Sequence, residues 1–203
     1  MIGIIDTGIC NISSLKNTLK FLNFDFVSTN EINLLSKCKK LILPGVGTFK
    51  EGMERIKFNK FDKLIYEHIS QNNHILGICL GMQLLMTSGY ENGRCKGLNL
   101  IKGEVKKLKK SSNIRIPHIG WNEINIKNKK NALVKNIKNK SNFYFIHSYA
   151  VLLEEQIYSC ETNHGKNDFS SVINKKNIYG VQFHPEKSQN KGLNLLKNFL
   201  NLK

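Results

Sequence analysis

With 203 residues, the chain is long enough to bury a core as one domain, residues 1–203, without disulfide or metal staples. Its five cysteines (Cys10, Cys38, Cys79, Cys95 and Cys160) are scattered, with no Cys-x-x-Cys pair. That excludes a disulfide framework or zinc knuckle and points to a reducing, cytoplasmic setting. A net charge of +16 raises nucleic acid, yet of 31 basic residues only Arg55, Arg94 and Arg115 are arginine. Base readout and phosphate clamping favour arginine, so the lysines, interleaved with Asn over residues 127–140, read as a solvated face and no nucleic acid is expected. No apolar run approaches the roughly 20 residues needed to cross a bilayer, and residues 1–5 meet Asp6 too soon for a signal segment, so no membrane is expected either.

In chain order, residues 1–5 read as a first buried strand, followed by a loop over 6–11 and a helix from Ser13-Ser14, as cap, to about Leu22. Leu15, Leu19 and Leu22 recur at helical spacing. Residues 24–28 and 40–43 read as strands, the latter ending abruptly at Pro44-Gly45-Val46-Gly47. Helices are expected over 49–57 and 61–70, a central strand over 74–79, and a helix over 80–86. This alternation predicts an α/β fold with a mainly parallel central sheet flanked by helices. In such sheets ligands gather at the carboxyl ends of the strands, so the loops at Asp6, Pro44 and Cys79 should face one crevice. Beyond Gly89 the pattern shifts to short strands over 101–107, 122–126, 143–146, 156–161, 169–173 and 178–183, an appended antiparallel region. Residues 191–200, with Leu193, Leu196 and Leu200, close the chain as an amphipathic helix.

Two stretches carry chemistry. Gly77-Ile78-Cys79-Leu80-Gly81 is a G-x-C-x-G turn between strand and helix, a nucleophile elbow with sulfur in place of oxygen. Its glycines relieve clashes at the sharp turn and tolerate unusual backbone angles, and the helix N-terminus favours thiolate. A buried structural cysteine fits the same segment. Gly180-Val181-Gln182-Phe183-His184-Pro185-Glu186 places a base at a strand end, and an extended His-x-Glu puts both side chains on one face, where Glu186 can orient the His184 ring. Cys79, His184 and Glu186 are therefore the expected catalytic set.

These stretches resemble the class I (triad) glutamine amidotransferases: Gly-Ile-Cys79-Leu-Gly-Met-Gln83, Phe-His184-Pro-Glu186, and Pro44-Gly45-Val46-Gly47-Thr48-Phe49 for the class's oxyanion strand. Pro117-His118-Ile119-Gly120-Trp121-Asn122, Tyr144-Phe145-Ile146-His147-Ser148-Tyr149 and Pro185-Glu186-Lys187-Ser188 are similar to the glutaminase-subunit family of imidazole glycerol phosphate synthases. The matches run from residue 2 to about 188. The resemblance implies hydrolysis of L-glutamine to glutamate and ammonia, with ammonia passed to a (β/α)8-barrel cyclase subunit in a heterodimer serving histidine biosynthesis. It implies no cofactor and no metal. It assigns the oxyanion hole to Gly45, Val46, Gly47 and Leu80, and glutamine binding to Gln83, Glu91, Ser148 and Tyr149. It assigns Trp121, Tyr144 and Lys187 to the partner interface. Ordinary surface polarity fits Glu91 and Ser148 as well, and a core position fits Trp121.

One loop departs from the family pattern. Asp-Tyr-Gly-x-Gly-Asn-Leu is usual there, whereas this chain reads Asp6-Thr7-Gly8-Ile9-Cys10-Asn11-Ile12. That leaves room for a related subunit feeding another synthase, such as a surface-sugar amidating enzyme. A stand-alone γ-glutamyl hydrolase and a non-catalytic, basic binding module are the other readings. Activity without a partner marks the hydrolase, and a salt-sensitive polyanion complex marks the binding module.

Overall fold

The computed structural model describes residues 1–8, 12–111, 114–128 and 130–202. The first part alternates: β1 (Ile2–Ile5), α1 (Ser13–Phe21), β2 (Phe26–Thr29), α2 (Ile32–Leu35), β3 (Lys40–Gly45), α3 (Phe49–Phe58), α4 (Phe61–Ser70), β4 (His74–Cys79) and α5 (Leu80–Leu84). Strands then dominate: β5 (Met86–Gly89), β6 (Cys95–Lys96), β7 (Ile101–Lys107), β8 (His118–Ile124), β9 (Ser141–His147), β10 (Tyr149–Leu153), β11 (Tyr158–His164), β12 (Asn167–Lys175) and β13 (Ile178–Val181), before α6 (Gln189–Leu200). Short 3-10 turns occupy Ala132–Val134 and Pro185–Lys187.

The central sheet runs β2-β1-β3-β4-β13-β12-β10-β7-β5-β6, with β11 paired to β12. Its first five strands are mutually parallel, and β12, β10 and β7 continue it antiparallel. β8 and β9 form a separate antiparallel ribbon. The fold is thus α/β with an appended antiparallel region, as the sequence pattern predicts. Strand alternation splits the core. Ile4, Ile42, Leu76 and Ile78 face the side covered by α1 and α6, where Leu15, Leu19, Leu195 and Phe199 pack. Ile5, Leu41, Leu43 and Ile75 face Phe49, Met53, Leu64 and Leu80 of α3, α4 and α5. Among the described residues no helix is long and apolar enough to cross a membrane.

Several predicted details change. β3 continues through Pro44-Gly45 because β1 pairs with it only as far as Ile42, so Pro44 interrupts no ladder on that side. Ile12, not a serine, is the N-cap of α1, and no side chain caps it. The helix expected over 80–86 ends at Leu84, because Met86 enters β5. Its apolar run suits either element, and pairing with β7 decides. β5, β6, β10 and α2 were not expected at all; at two to five residues each is too short for a repeating pattern to stand out. In α6 the buried stripe is Leu195, Leu196, Phe199 and Leu200, with Leu193 only half-buried. The substituted loop is described at Asp6–Gly8 and Ile12, and its Ile9-Cys10-Asn11 segment lies outside the described residues.

Candidate active site

β4 delivers Cys79 to a sharp turn. The unusual backbone conformation falls on the cysteine itself, at φ 54° and ψ −111°, in place of the neighbouring glycines. A non-glycine residue held there stores about 1–3 kcal/mol, which surrounding packing must enforce. The glycines serve close approach. A Cβ on Gly77 would lie 2.6 Å from the Met82 nitrogen, one on Gly45 would lie 2.8 Å from the Gly81 nitrogen, and one on Gly81 would overlap the Leu43 carbonyl. β3, β4 and α5 interlock at these three points, and this clamps the turn. α5 has only five residues, so its dipole is small and the expected help from a helix N-terminus is weak. The cation near the sulfur is supplied instead by His184.

His184 follows β13, the parallel neighbour of β4, so both candidate groups emerge at the same sheet edge. The predicted geometry of the His-Glu pair is corrected in its reason. His184 is extended, but Glu186 sits in the Pro185–Lys187 3-10 turn, which curls its carboxylate back. Glu186 Oε1 then lies 2.7 Å from His184 Nδ1. Two bonds brace this turn against β9, His184 N–H donating to the Tyr144 carbonyl and Tyr144 N–H to Ser188 Oγ, and a third closes it, Ser188 O–H donating to the His184 carbonyl. Beneath it Gly192 of α6 sits so close that a Cβ would overlap the Pro185 carbonyl.

Burial disfavours the imidazolium of His184, but the neighbouring Cys79 sulfur and the Glu186 carboxylate at Nδ1 more than offset that and raise its pKa to about 10. The ring is therefore protonated at neutral pH. His184 Nε2 and Glu186 Oε2 are buried without a hydrogen-bond partner among the described residues. With Nδ1 held by Glu186, Nε2 is the nitrogen left to exchange a proton with the thiol or a substrate.

Cys79, Leu80, Val46, Gly47, Gln83, Glu91, His147, Ser148, Tyr149 and His184 line one cavity of about 280 Å3. Typical ligand clefts hold about 300–1,000 Å3, so this one suits a ligand of amino-acid size. Of the expected oxyanion residues, Val46, Gly47 and Leu80 lie on the cavity. Gly45 does not: it is in β3, paired with Cys79, and borders a narrower crevice behind. Gly47 has φ 95°, and Leu80, as the first residue of α5, has no intrahelical partner for its N–H. Glu91 Oε2 accepts from the Phe49 amide at 2.8 Å, which ties its carboxylate to the start of α3. Gln83, nearly buried, donates to the Tyr149 carbonyl and to Gln182. Asp6, Thr7 and Gly8, the described residues of the expected first loop, do not line the cavity. Trp121, Tyr144 and Lys187 also lie off it. Trp121 is 47% exposed on β8, its ring edge-on to Tyr144 across the ribbon, and Lys187 is exposed beside Glu186.

Sequence reasoning assigned no role to Gln182, Ser188, His118 or His147, although all four stand in quoted motifs. Gln182 places Nε2 3.8 Å from Cys79 Sγ, and Ser188 braces the His184 turn. A polar Gln182 between the apolar Val181 and Phe183 was the available signal in the sequence, and the structure buries it fully. Among the described residues no group of three or more His, Cys, Asp or Glu could hold a metal ion.

The family model "glutamine amidotransferase class-I" matches residues 4–202. The chain is a class I glutamine amidotransferase. Curated relatives of this amidotransferase are imidazole glycerol phosphate synthase subunits. It is 45% identical over 201 residues to subunit HisH 2 of Methanococcus maripaludis, covering 98% of each chain. It is 44% identical over 204 residues to subunit HisH 1 of Campylobacter jejuni, covering both completely. Subunit HisH of Buchnera aphidicola is 45% identical over 199 residues, 98% of each. Among solved structures, PurLQS from Thermotoga maritima superposes with a TM-score of 0.72 at 16% identity, over 98% of this chain and 97% of the other, a likeness of fold alone.

Proposed function

We propose that this amidotransferase is the glutaminase subunit of an imidazole glycerol phosphate synthase, hydrolysing L-glutamine and passing ammonia to the cyclase subunit for L-histidine biosynthesis. The observation that carries the reading is the convergence of Cys79 and His184, the latter held by Glu186, on a cavity of amino-acid size, in a chain that matches HisH subunits end to end. The cyclase partner is a (β/α)8 barrel, and the exposed ribbon with Trp121 and Tyr144, together with Lys187, forms the docking face. The pair acts in the cytoplasm, where Cys38, Cys79, Cys95 and Cys160 remain thiols.

Cys79 Sγ attacks the side-chain amide carbon of glutamine, forming the S–C bond and a tetrahedral oxyanion. The N–H groups of Leu80 and of the Val46-Gly47 peptides stabilise that charge, each donor worth about 10²–10³ in rate. His184 gives its Nε2 proton to the amide nitrogen, the C–N bond breaks and ammonia leaves. Water then attacks the glutamyl thioester and His184 takes up its proton; the C–S bond breaks, and glutamate departs with the sulfur and the protonated ring back in their starting state. Glu186 holds the ring in place through Nδ1. Gln83 and Glu91, with the backbone at Ser148 and Tyr149, orient the amino-acid end of the substrate.

The test is glutaminase activity of the chain alone and with the histidine-pathway cyclase and its nucleotide ligand. Strong stimulation by that pair, lost in Cys79→Ser, is expected. Full activity without any partner refutes the subunit reading.

A further inference from the structure

Beside the cavity lies a chain of polar side chains that the proposed chemistry does not use. His147, the last residue of β9, places Nδ1 2.9 Å from the Tyr149 carbonyl. Its Nε2 lies 3.0 Å from His118 Nδ1, and His118 Nε2 lies 3.2 Å from Asn122 Nδ2 on the same strand, β8. Asn122 is anchored in turn: its Nδ2 donates to the Asn163 carbonyl, and its Oδ1 accepts from the Glu123 amide. Both histidines are buried, among Phe145 and Phe169, and His164 stacks on His118 at 4.0 Å.

The sense of every bond follows from one group. A backbone carbonyl can only accept, so His147 must carry its proton on Nδ1. A neutral His147 then accepts at Nε2, which places the proton of His118 on Nδ1 and leaves its Nε2 to accept from Asn122. Burial keeps both rings neutral, holding His147 at about 3 and His118, also beside His164, at about 4. The same Tyr149 carbonyl orders the other side. It accepts from Gln83 Nε2 at 2.8 Å, and Gln83 Nε2 also donates to Gln182 Oε1 at 3.0 Å. Gln182 is thereby turned so that its Nε2 faces Cys79 Sγ.

We propose that His147 and His118 are positioning residues of the glutamine pocket: a neutral pair, each protonated at Nδ1, that holds the Tyr149 carbonyl against the β8–β9 ribbon and with it the Gln83–Gln182 amides beside the thiol. This rests on the glutaminase reading. Neither histidine reacts. The pair holds a carbonyl whose other side-chain donor among the described residues is Gln83, and Tyr149 itself lines the substrate cavity.

Two measurements on the full-length chain test it. Long-range 1H–15N correlation on histidine-labelled protein at pH 7 should find both rings as Nδ1–H tautomers, the form less favoured in free histidine; an Nε2–H tautomer at His147 overturns the proposal. In kinetics with the cyclase present, His147→Phe removes the donor, whereas His147→Asn sets an amide N–H where Nδ1 stands. His147→Phe should raise KM for glutamine about tenfold, the scale of one lost hydrogen bond, with kcat changed less, and His147→Asn should recover most of that loss. Equal impairment in the two variants, or a loss confined to kcat, overturns it. If His147→Phe fails to fold, the tautomers and His147→Asn against wild type still decide. A wild-type chain without glutaminase activity refutes the functional reading separately, since the tautomer measurement needs no turnover.

Discussion

Replacing Glu186 by Gln removes a charge while leaving an oxygen that can still accept from His184 Nδ1. The two groups are 2.7 Å apart, their side chains 6% and 10% exposed. With charge spread over ring and carboxylate, the charge centres stand about 4 Å apart, worth about 4 kcal/mol at an effective dielectric of about 20. That equals about three pKa units, and the bond the Gln oxygen still accepts from Nδ1–H retains part of the shift, so a net fall of about two units is expected. His184, raised to about 10, should titrate near 8 in the variant. The stability consequence has a definite sign. A group raised in the folded state contributes fully below its unfolded pKa of about 6.5 and loses that contribution as pH climbs through the folded value. For the wild type the loss falls between about 6.5 and 10; for Glu186→Gln it is complete by about 8, and the variant gives up about 2.7 kcal/mol at most in the neutral range. An NMR titration of the His184 ring, with urea midpoints at pH 6, 8 and 10 as companion data, reads both. A His184 midpoint that moves by under about half a unit refutes the assignment of Glu186 as the group that charges the ring.

Three further outcomes follow from the geometry. Gly81→Ala forces a Cβ into the Leu43 carbonyl, a backbone atom in a paired strand, and should cost about 3 kcal/mol or more by urea denaturation, whereas Gly93→Ala, at φ 99° with nothing nearby, should cost about 1 kcal/mol. His147 is neutral when folded and held at about 3, so the folded state loses stability as pH falls from about 6.5 towards 3, by up to about 5 kcal/mol. Thermal melts at pH 7 and 4 should therefore converge more closely in His147→Asn, which cannot titrate, than in wild type. Trp121→Ala, at an exposed position, should shift the unfolding midpoint of the free chain by no more than about 0.5 kcal/mol, yet weaken cyclase binding by about 2 kcal/mol, near 30-fold, in calorimetry.

Residue type and spacing alone determined the parallel βα half, the elbow at Cys79, the pairing of His184 with Glu186 and the close approaches that make Gly77 and Gly81 necessary. These are local: a strand period of two, a helix period near 3.6, and glycines placed where a turn leaves no room for a side chain. Tertiary structure decided what depends on pairing partners far along the chain. Met86 became strand because β7 is available to it, and Pro44 stayed in the sheet because β1 stops short. Gly45 was drawn into the β3–β4 ladder and off the cavity. Glu186 reaches His184 through a turn braced by Ser188 and Gly192, not through an extended strand. The His147–His118 pair and the Gln182 contact with Cys79 join residues 29 and 103 positions apart, and such contacts leave no periodic trace in sequence because a hydrogen bond between distant segments constrains only the two groups that meet.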